Sequence, residues 1–409
     1  MARKMRDSGV EWIGEVPEGW EVNRLQWHLE EIVEKNDPIQ TTNILSLTND
    51  RGVIPYEDKG NVGNKAKENY TEYKLAYKNT IVANSMNVLI GSVGLSKYDG
   101  CVSPVYYIYK SKDSNSIRYY NYLFQLTPFQ KELRRYANGI LEIRLRVSSS
   151  DILKRSVPAP SFSEQRRIAD YLDEKCAAID GAVDELKRGI EDCKAWKKAI
   201  IFEAVTGKAN VLAAKNAKVA NRQMRDSGIP WIGEIPEGWE VSRVKYICKI
   251  QNGQDPKTTG DIPVYGSGET SFKTCGEYKE GPAVLLGRKG ATLHIPRYIE
   301  SRYWNVDTAF DVHMKGSHCL KWFYYLAVCF DYRQYISQTT LPGMTQTNYN
   351  NMSIPLPSRL EQQAIADYLD EKCAAIDAMV AEKEALIADL ESYKKSLIYE
   401  TVTGKREVA

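Results

Sequence analysis

The sequence predicts an α/β (α+β) fold made twice over. Two β-rich mixed domains of different sequence are joined by two long helices that form an antiparallel coiled coil, and the internal duplication is pseudo-two-fold. Three observations predict it. A tryptophan-rich block at residues 5–25 returns at 224–244 with 16 of 21 positions identical, so Trp12 and Trp20 reappear as Trp231 and Trp239. A second block, residues 169–180, returns unchanged at 366–377, and Thr206-Gly207-Lys208 returns as Thr403-Gly404-Lys405. Between these frames the residues share almost nothing, which marks them as inserts rather than further copies. The offset between copies is 219 at the first block and 197 at the second, so the second insert is 22 residues shorter. The chain therefore divides into a first box (1–25), a first insert (26–162), a central helix (163–208), a linker (209–223), a second box (224–243), a second insert (244–359) and a distal helix (360–405).

The helices follow from periodicity. Stepping alternately by three and four from Ala169 gives an apolar stripe through Leu172, Cys176, Ile179, Val183, Leu186 and Ile190, broken only at Lys197. The second copy runs through Leu369, Cys373, Ile376, Val380, Ile387 and Leu390, with Lys383, Lys394 and Thr401 at the polar positions. A heptad seam sustained for about five repeats favours a coiled coil over a helix that packs on its own insert. Ser163 with Glu164, and Pro357-Ser358 ahead of Glu361, supply start signals, while Gly207 and Gly404 mark the stops. Each helix is then about 60 Å long. The linker is short for a return along that length beside a folded box, so an antiparallel pair is the simpler connection.

Each insert reads as β-rich with a helix. In the first, residues 80–83, 88–91 and 102–109 have strand patterns and 116–137 a helical one. In the second, residues 283–287, 304–307 and 310–313 read as strands and 320–337 as a helix. A related fold for the two is expected.

Charge separates the inserts from the frame. The first insert carries 18 basic against 14 acidic residues and the second 13 against 9, whereas residues 164–208 carry 9 against 10 and 361–405 carry 5 against 10. A modest local excess of four suits a polyanion such as nucleic acid, and equally suits plain solvated surface. No apolar run is long enough to span a bilayer and the start lacks a signal-peptide core, so a cytoplasmic location is expected. Eight cysteines stand singly and read as free thiols, and the four histidines show no metal-ligand spacing. Neither Gly207-Lys208 nor Gly404-Lys405 completes a phosphate loop, no aminomethylation motif occurs, and no nucleophile has an identifiable base. The chain is expected to be non-catalytic, with no metal and no cofactor of its own.

Two loop pairs are candidate contacts to double-stranded DNA. Gly91-Ser92-Val93-Gly94 follows a strand in the first insert, and Gly287-Arg288-Lys289-Gly290 follows its counterpart in the second. Glycines at both ends suit a projecting turn, and Arg288 and Lys289 suit a phosphate or a guanine edge; an exposed hairpin with solvating charges is the plainer reading. A polar cluster precedes each long helix, with Arg144 and Arg146 in the first insert and Thr345, Gln346, Thr347 and Asn348 in the second. Arginine matches guanine, and the amides match adenine. Lys65, Lys67 and Tyr70 are further candidates for phosphate.

The Trp12-Ile13-Gly14-Glu15-Val16-Pro17-Glu18-Gly19-Trp20 box, the Glu164-to-Ala169 helix start, Thr206-Gly207-Lys208 and their second copies together resemble the specificity subunit of type I restriction-modification systems, over essentially the whole length. The resemblance implies two target-recognition domains, each reading one half of an asymmetric bipartite DNA site, on two helices in an antiparallel coiled coil. It also implies a scaffold that recruits two modification (methyltransferase) subunits and then restriction subunits. S-adenosylmethionine, ATP and Mg would belong to those partners. Two departures stand out: Gly91 to Gly94 lacks the basic pair of Arg288 and Lys289, and Gln362-Gln363 replaces Arg166-Arg167. A helical scaffold whose inserts bind protein, or a self-contained nuclease or methyltransferase, are the competing readings.

Overall fold

The computed structural model describes residues 3–48, 51–60, 69–112, 115–139, 145–215, 222–333, 335 and 342–408. It divides into two compact units, Met1–Leu186 with Ala385–Ala409, and Lys187–Glu384. Each unit holds one box, one insert and a stretch of both long helices.

The box is the same small device in both units. Met5–Asp7 pairs antiparallel with Glu15–Pro17, and Glu21–Arg24 pairs with Ser156–Ala159, the strand that leads into the first long helix. The second copy repeats this with Met224–Asp226 on Glu234–Pro236 and Glu240–Arg243 on Ser353–Leu356.

The long helices run Phe162–Val205 and Arg359–Val402, 44 residues each, or about 66 Å. Ser161 Oγ accepts from the Glu164 backbone N–H at 3.4 Å and Ser358 Oγ from Glu361 at 3.3 Å, so the capping serine of the first helix is Ser161 rather than Ser163. The expected seam is the covered face. Leu172, Ile179, Val183, Ile190, Leu369 and Ile376 are buried, and Leu186, Val380, Ile387 and Leu390 are half-buried between exposed neighbours.

Both units show the helix segments antiparallel. In the first, the box touches Glu164 at one helix start and Gly404 beyond the other helix end, while Asp180 meets Lys394 at 2.6 Å farther along. In the second, the box touches Glu361 and Gly207, and Lys197 meets Asp377 at 2.7 Å. Lys197 and Lys394, two of the three lysines that interrupt the apolar stripes, are thus the cations of a repeated interhelical ion pair. Half-exposed pairs contribute only about 0–1 kcal/mol each, so their use is in orientation and register rather than stability.

The inserts share one sheet despite their unrelated sequences. The first is ordered Leu29–Ile32, Tyr106–Ser111, Ile81–Asn84, Val93–Leu95, and the second Cys248–Asn252, Ala309–Met314, Ala283–Gly287, Arg297–Ile299, antiparallel throughout. Among the described residues the clearest divergence is in what covers the outer face. The first insert adds the hairpin Leu45–Thr48/Gly52–Pro55 and the pair Lys74–Ala76/Gly100–Val102. The second adds a three-stranded sheet of Lys273–Cys275, Ile262–Tyr265 and Trp304–Asn305, the last pairing parallel.

Four local expectations need correction. Residues 88–90 form a 3-10 turn, Val88–Ile90, ended by Gly91 in the left-handed region, not a strand. The stretch 102–109 is two strands interrupted at 103–105, where Pro104 has no N–H for a ladder. Residues 116–137 are two helices, Ile117–Phe124 and Thr127–Arg134, because Pro128 sits in a new first turn. The helix from Leu320 ends at Val328.

Candidate nucleic-acid interface

Each insert is bolted to its long helix by matched hydrogen bonds that the sequence did not reveal. Gln165 Oε1 accepts from the Ser116 backbone N–H at 2.8 Å and its amide donates to the Pro160 carbonyl at 3.0 Å. Gln362 does the same for Cys319 and Pro357, at 3.0 Å each. Tyr122 donates to Asp173 at 2.7 Å and Tyr325 to Asp370 at 2.6 Å, each from the helix that follows the sheet. Burial, with the carboxylate alongside, pushes both phenols well above their ordinary range, so they remain donors. Glu164 and Glu361 then fix the boxes. Each accepts from a tryptophan indole, Trp20 or Trp239, at 2.8 Å, and pairs with an arginine, Arg3 or Arg222, which also lies over that ring at 5.2 Å. No sequence spacing links these hydrogen-bonded partners, which lie more than 40 residues apart in every case but Gln165–Pro160 and Gln362–Pro357.

On this mount the two candidate loops of the second insert come together. The Met344 N–H donates to the Arg288 carbonyl at 2.8 Å and the Gly290 N–H to the Pro342 carbonyl at 3.0 Å, so the strand-end loop and the polar cluster form one surface. Arg288 is held by the Asp307 carbonyl at 3.1 Å and the Asp307 carboxylate at 3.6 Å, while Lys289 is exposed. Thr345 Oγ1 accepts from the Asn348 N–H at 3.0 Å and so caps the short helix Gln346–Asn351. Gln346 donates to the Ile250 carbonyl and Asn348 to the Tyr335 carbonyl, which commits one amide hydrogen of each to the chain itself. Thr347 is exposed. Beside this surface lie exposed Phe272, with Lys273 over its ring at 5.4 Å, and Thr308, whose carbonyl accepts from Arg288 N–H; none of the three was singled out in the sequence.

The first insert repeats the scaffold with different chemistry. The Val147 N–H donates to the Ser85 carbonyl at 3.3 Å, and Ser148 caps Ser149–Leu153 as Thr345 caps its helix. Arg146 is exposed on this surface, its backbone bonded both ways to Asn138. Ser92 is not available: it is 3% exposed, because Gly91 turns the chain back under Gln130 instead of projecting it. Ser92 therefore lies beneath this surface rather than on it. Tyr70 is half-buried edge-on to Tyr73 at 6.0 Å, and its carbonyl accepts from the fully buried Asn36. Lys65, Lys67 and Arg144 lie outside the described residues.

Comparison with known proteins gives the geometry its context. The family model for the type I restriction modification DNA specificity domain matches residues 17–185 and again 236–387. The chain belongs to the type I restriction-modification specificity family. The two matches coincide with the duplication, each taking in one insert and the start of one long helix. Among curated members of that family, the putative type I restriction enzyme MjaX specificity subunit of Methanocaldococcus jannaschii is 24% identical over 97% of this chain and 96% of its own length. The MjaVIII specificity subunit of the same organism is 24% identical over 62% of each chain. A chain solved in work on complex assembly and conformational transition of the type I R-M system shares the fold with a TM-score of 0.73 at 16% identity, covering 96% of this chain and 99% of that one. The HsdS subunit of Thermoanaerobacter tengcongensis superposes with a TM-score of 0.53 at 14% identity, covering 96% and 98%. This specificity subunit is thus a recognition component, and no helix among the described residues is long and apolar enough to cross a membrane.

Proposed function

We propose that each insert reads one half of an asymmetric bipartite DNA site, and that the duplicated frame seats two modification subunits and, through them, restriction subunits. The observation that carries the reading is one sheet and one mount used twice with different loop chemistry. Equal mounts suit equal partners, because two copies of one subunit bind equivalently only to two similar surfaces. Unequal loops suit unequal half-sites. In the second insert Lys289, Gln346 and Thr347 are exposed, Gln346 and Asn348 are braced by the chain, and Arg288 keeps donors beyond those Asp307 takes; in the first, Arg146 takes the corresponding place, with Lys65, Lys67, Arg144 and Tyr70 as further candidates. Methyl transfer from S-adenosylmethionine and ATP- and Mg-dependent translocation and cleavage belong, in this reading, to the partner subunits in the cytoplasm.

Salt titration of DNA binding by the subunit with its co-expressed modification partner tests this. Affinity should fall steeply as ionic strength rises, and the double variant Arg288→Ala, Lys289→Ala should weaken binding or relax the second half-site alone. Flat salt dependence would count against DNA as the ligand. Unchanged methylation at every site in the double variant would remove that loop from the contact surface.

A further inference from the structure

Arg297 occupies a place where the fold does not call for a charge. It lies cross-strand from Leu285, which belongs to the small core on the sheet's outer face. On the first insert's sheet the outer-face counterpart is Val82, and its cross-strand partner is Gly94. A Cβ at Gly94 would lie 3.1 Å from Gly52 Cα and 3.2 Å from the Val53 nitrogen, so that sheet is closed over a glycine. The same architecture therefore forms with no side chain at this position.

In the second insert the position is filled by a guanidinium that is only partly satisfied. Arg297 is 8% exposed; its Nη2 donates to the Gly266 carbonyl, whereas Nε and Nη1 have no partner among the described residues. The Tyr265 ring lies 5.8 Å from the guanidinium carbon. Burial pushes the Arg297 pKa down to about 10, opposed only by Tyr265. A buried cation without an anion costs several kcal/mol, and evolution of a stable fold alone would favour an apolar group here.

The loop that meets Arg297 through the Gly266 carbonyl adjoins the candidate interface. Thr292 Oγ1 donates to the Ser267 carbonyl at 2.8 Å, and a Cβ at Gly290 would sit 3.0 Å from Ser267 Oγ, so the Gly266–Gly268 and Gly287–Gly290 loops share one surface.

We propose that Arg297 binds a backbone phosphate of the DNA when the second insert engages its half-site, a step that rests on the DNA-reading function above. A phosphate oxygen brings both the missing negative charge and acceptors for the unpaired N–H groups. Position, not base identity, is then what Arg297 contributes, and Arg288 and Lys289 on the adjoining loop are left to the groove.

The test compares Arg297→Met and Arg297→Lys subunits, each co-purified with the modification partner, on a duplex carrying the site identified for the wild type. Arg297→Met should bind about tenfold more weakly and lower the salt slope by about one, with base preference intact. Its thermal midpoint should equal or exceed that of the wild type, since a buried unpaired charge has gone. Arg297→Lys should keep the slope. An unmoved slope in Arg297→Met, with or without loss of stability, overturns the proposal, as does a relaxed base preference at constant slope. Steep wild-type salt dependence beside an unmoved variant sinks this inference alone; failure of the wild type to bind DNA sinks the reading beneath it as well.

Discussion

Lys279 shows how one side chain can hold an insert together. Asp311 is fully buried on the central strand of the second sheet, and it accepts from Lys279 Nζ at 2.9 Å and Tyr303 OH at 2.9 Å; Lys279 also donates to Asn305 at 2.7 Å. Removing the cation strands the carboxylate. Lys279→Met should therefore cost about 3–5 kcal/mol, read as a lowered denaturation midpoint, and a change under 1 kcal/mol would show that Asp311 is satisfied without it. His28 gives a pH dependence. Desolvation by burial lowers its pKa from 6.5, opposed by the Asn115 hydrogen bond and Glu21. The unfolded chain then takes the proton first, so the contribution of the neutral ring is intact above about pH 6.5 and is lost as pH falls through that value. Melting temperatures between pH 7.5 and 5.5 should fall less for His28→Gln than for the wild type. Equal slopes would mean that His28 is not the group responsible.

The joints between elements explain why the repeated block ends in Thr-Gly-Lys. Gly207 and Gly404 both have φ of +75°, and a Cβ would lie 2.5 Å from Pro236 Cδ and 2.6 Å from Pro17 Cδ, with a tryptophan ring 3.0 Å away in each case. Each helix end is thus pressed against a box. Gly404→Ala should lose roughly 2–4 kcal/mol through backbone strain and overpacking together, measurable by denaturant titration, whereas Gly181→Ala, where a Cβ meets nothing, should be neutral or stabilising. Equal effects at the two positions would contradict the packing account. The helix stops were legible because glycine after an apolar stripe is a local signal. Their partners were not: nothing in Trp20, Pro17 or Glu164 announces a contact with a residue far along the chain. The matched joints escaped for a related reason. Tyr122 and Tyr325 are separated by neither of the two offsets that the identical blocks display, so the eye finds no register in which to compare them. Lys197 and Lys394 looked like defects in a seam, and only the facing Asp377 and Asp180 give them a purpose.

For the whole molecule, duplication was the legible part, because the two copies of the frame are identical at 16 of 21 positions in the box and throughout residues 169–180 and 366–377. The common sheet of the inserts was expected but not demonstrable from sequence: it needs only apolar residues on alternate positions, and many unrelated residues meet that need. The candidate interface was half legible. Arg288, Lys289 and the 345–348 cluster stand out as polar groups near glycines, and their convergence through Arg288, Pro342 and Met344 is backbone pairing that no composition encodes. Ser92 was misplaced because a glycine-flanked tetrapeptide can turn inward as readily as outward. Arg297 lies in a strand, Arg297–Ile299, that the sequence reading did not include, and nothing there marked its charge as one that would be buried. The central claim is that identical mounts carry unlike readers, and methylation-sensitive sequencing of a genome in which this subunit is expressed with its modification partner tests it most directly. The account predicts methylation at one asymmetric site of two unlike half-sites separated by a spacer of fixed length; a continuous or palindromic site, or half-sites at variable separation, would contradict it.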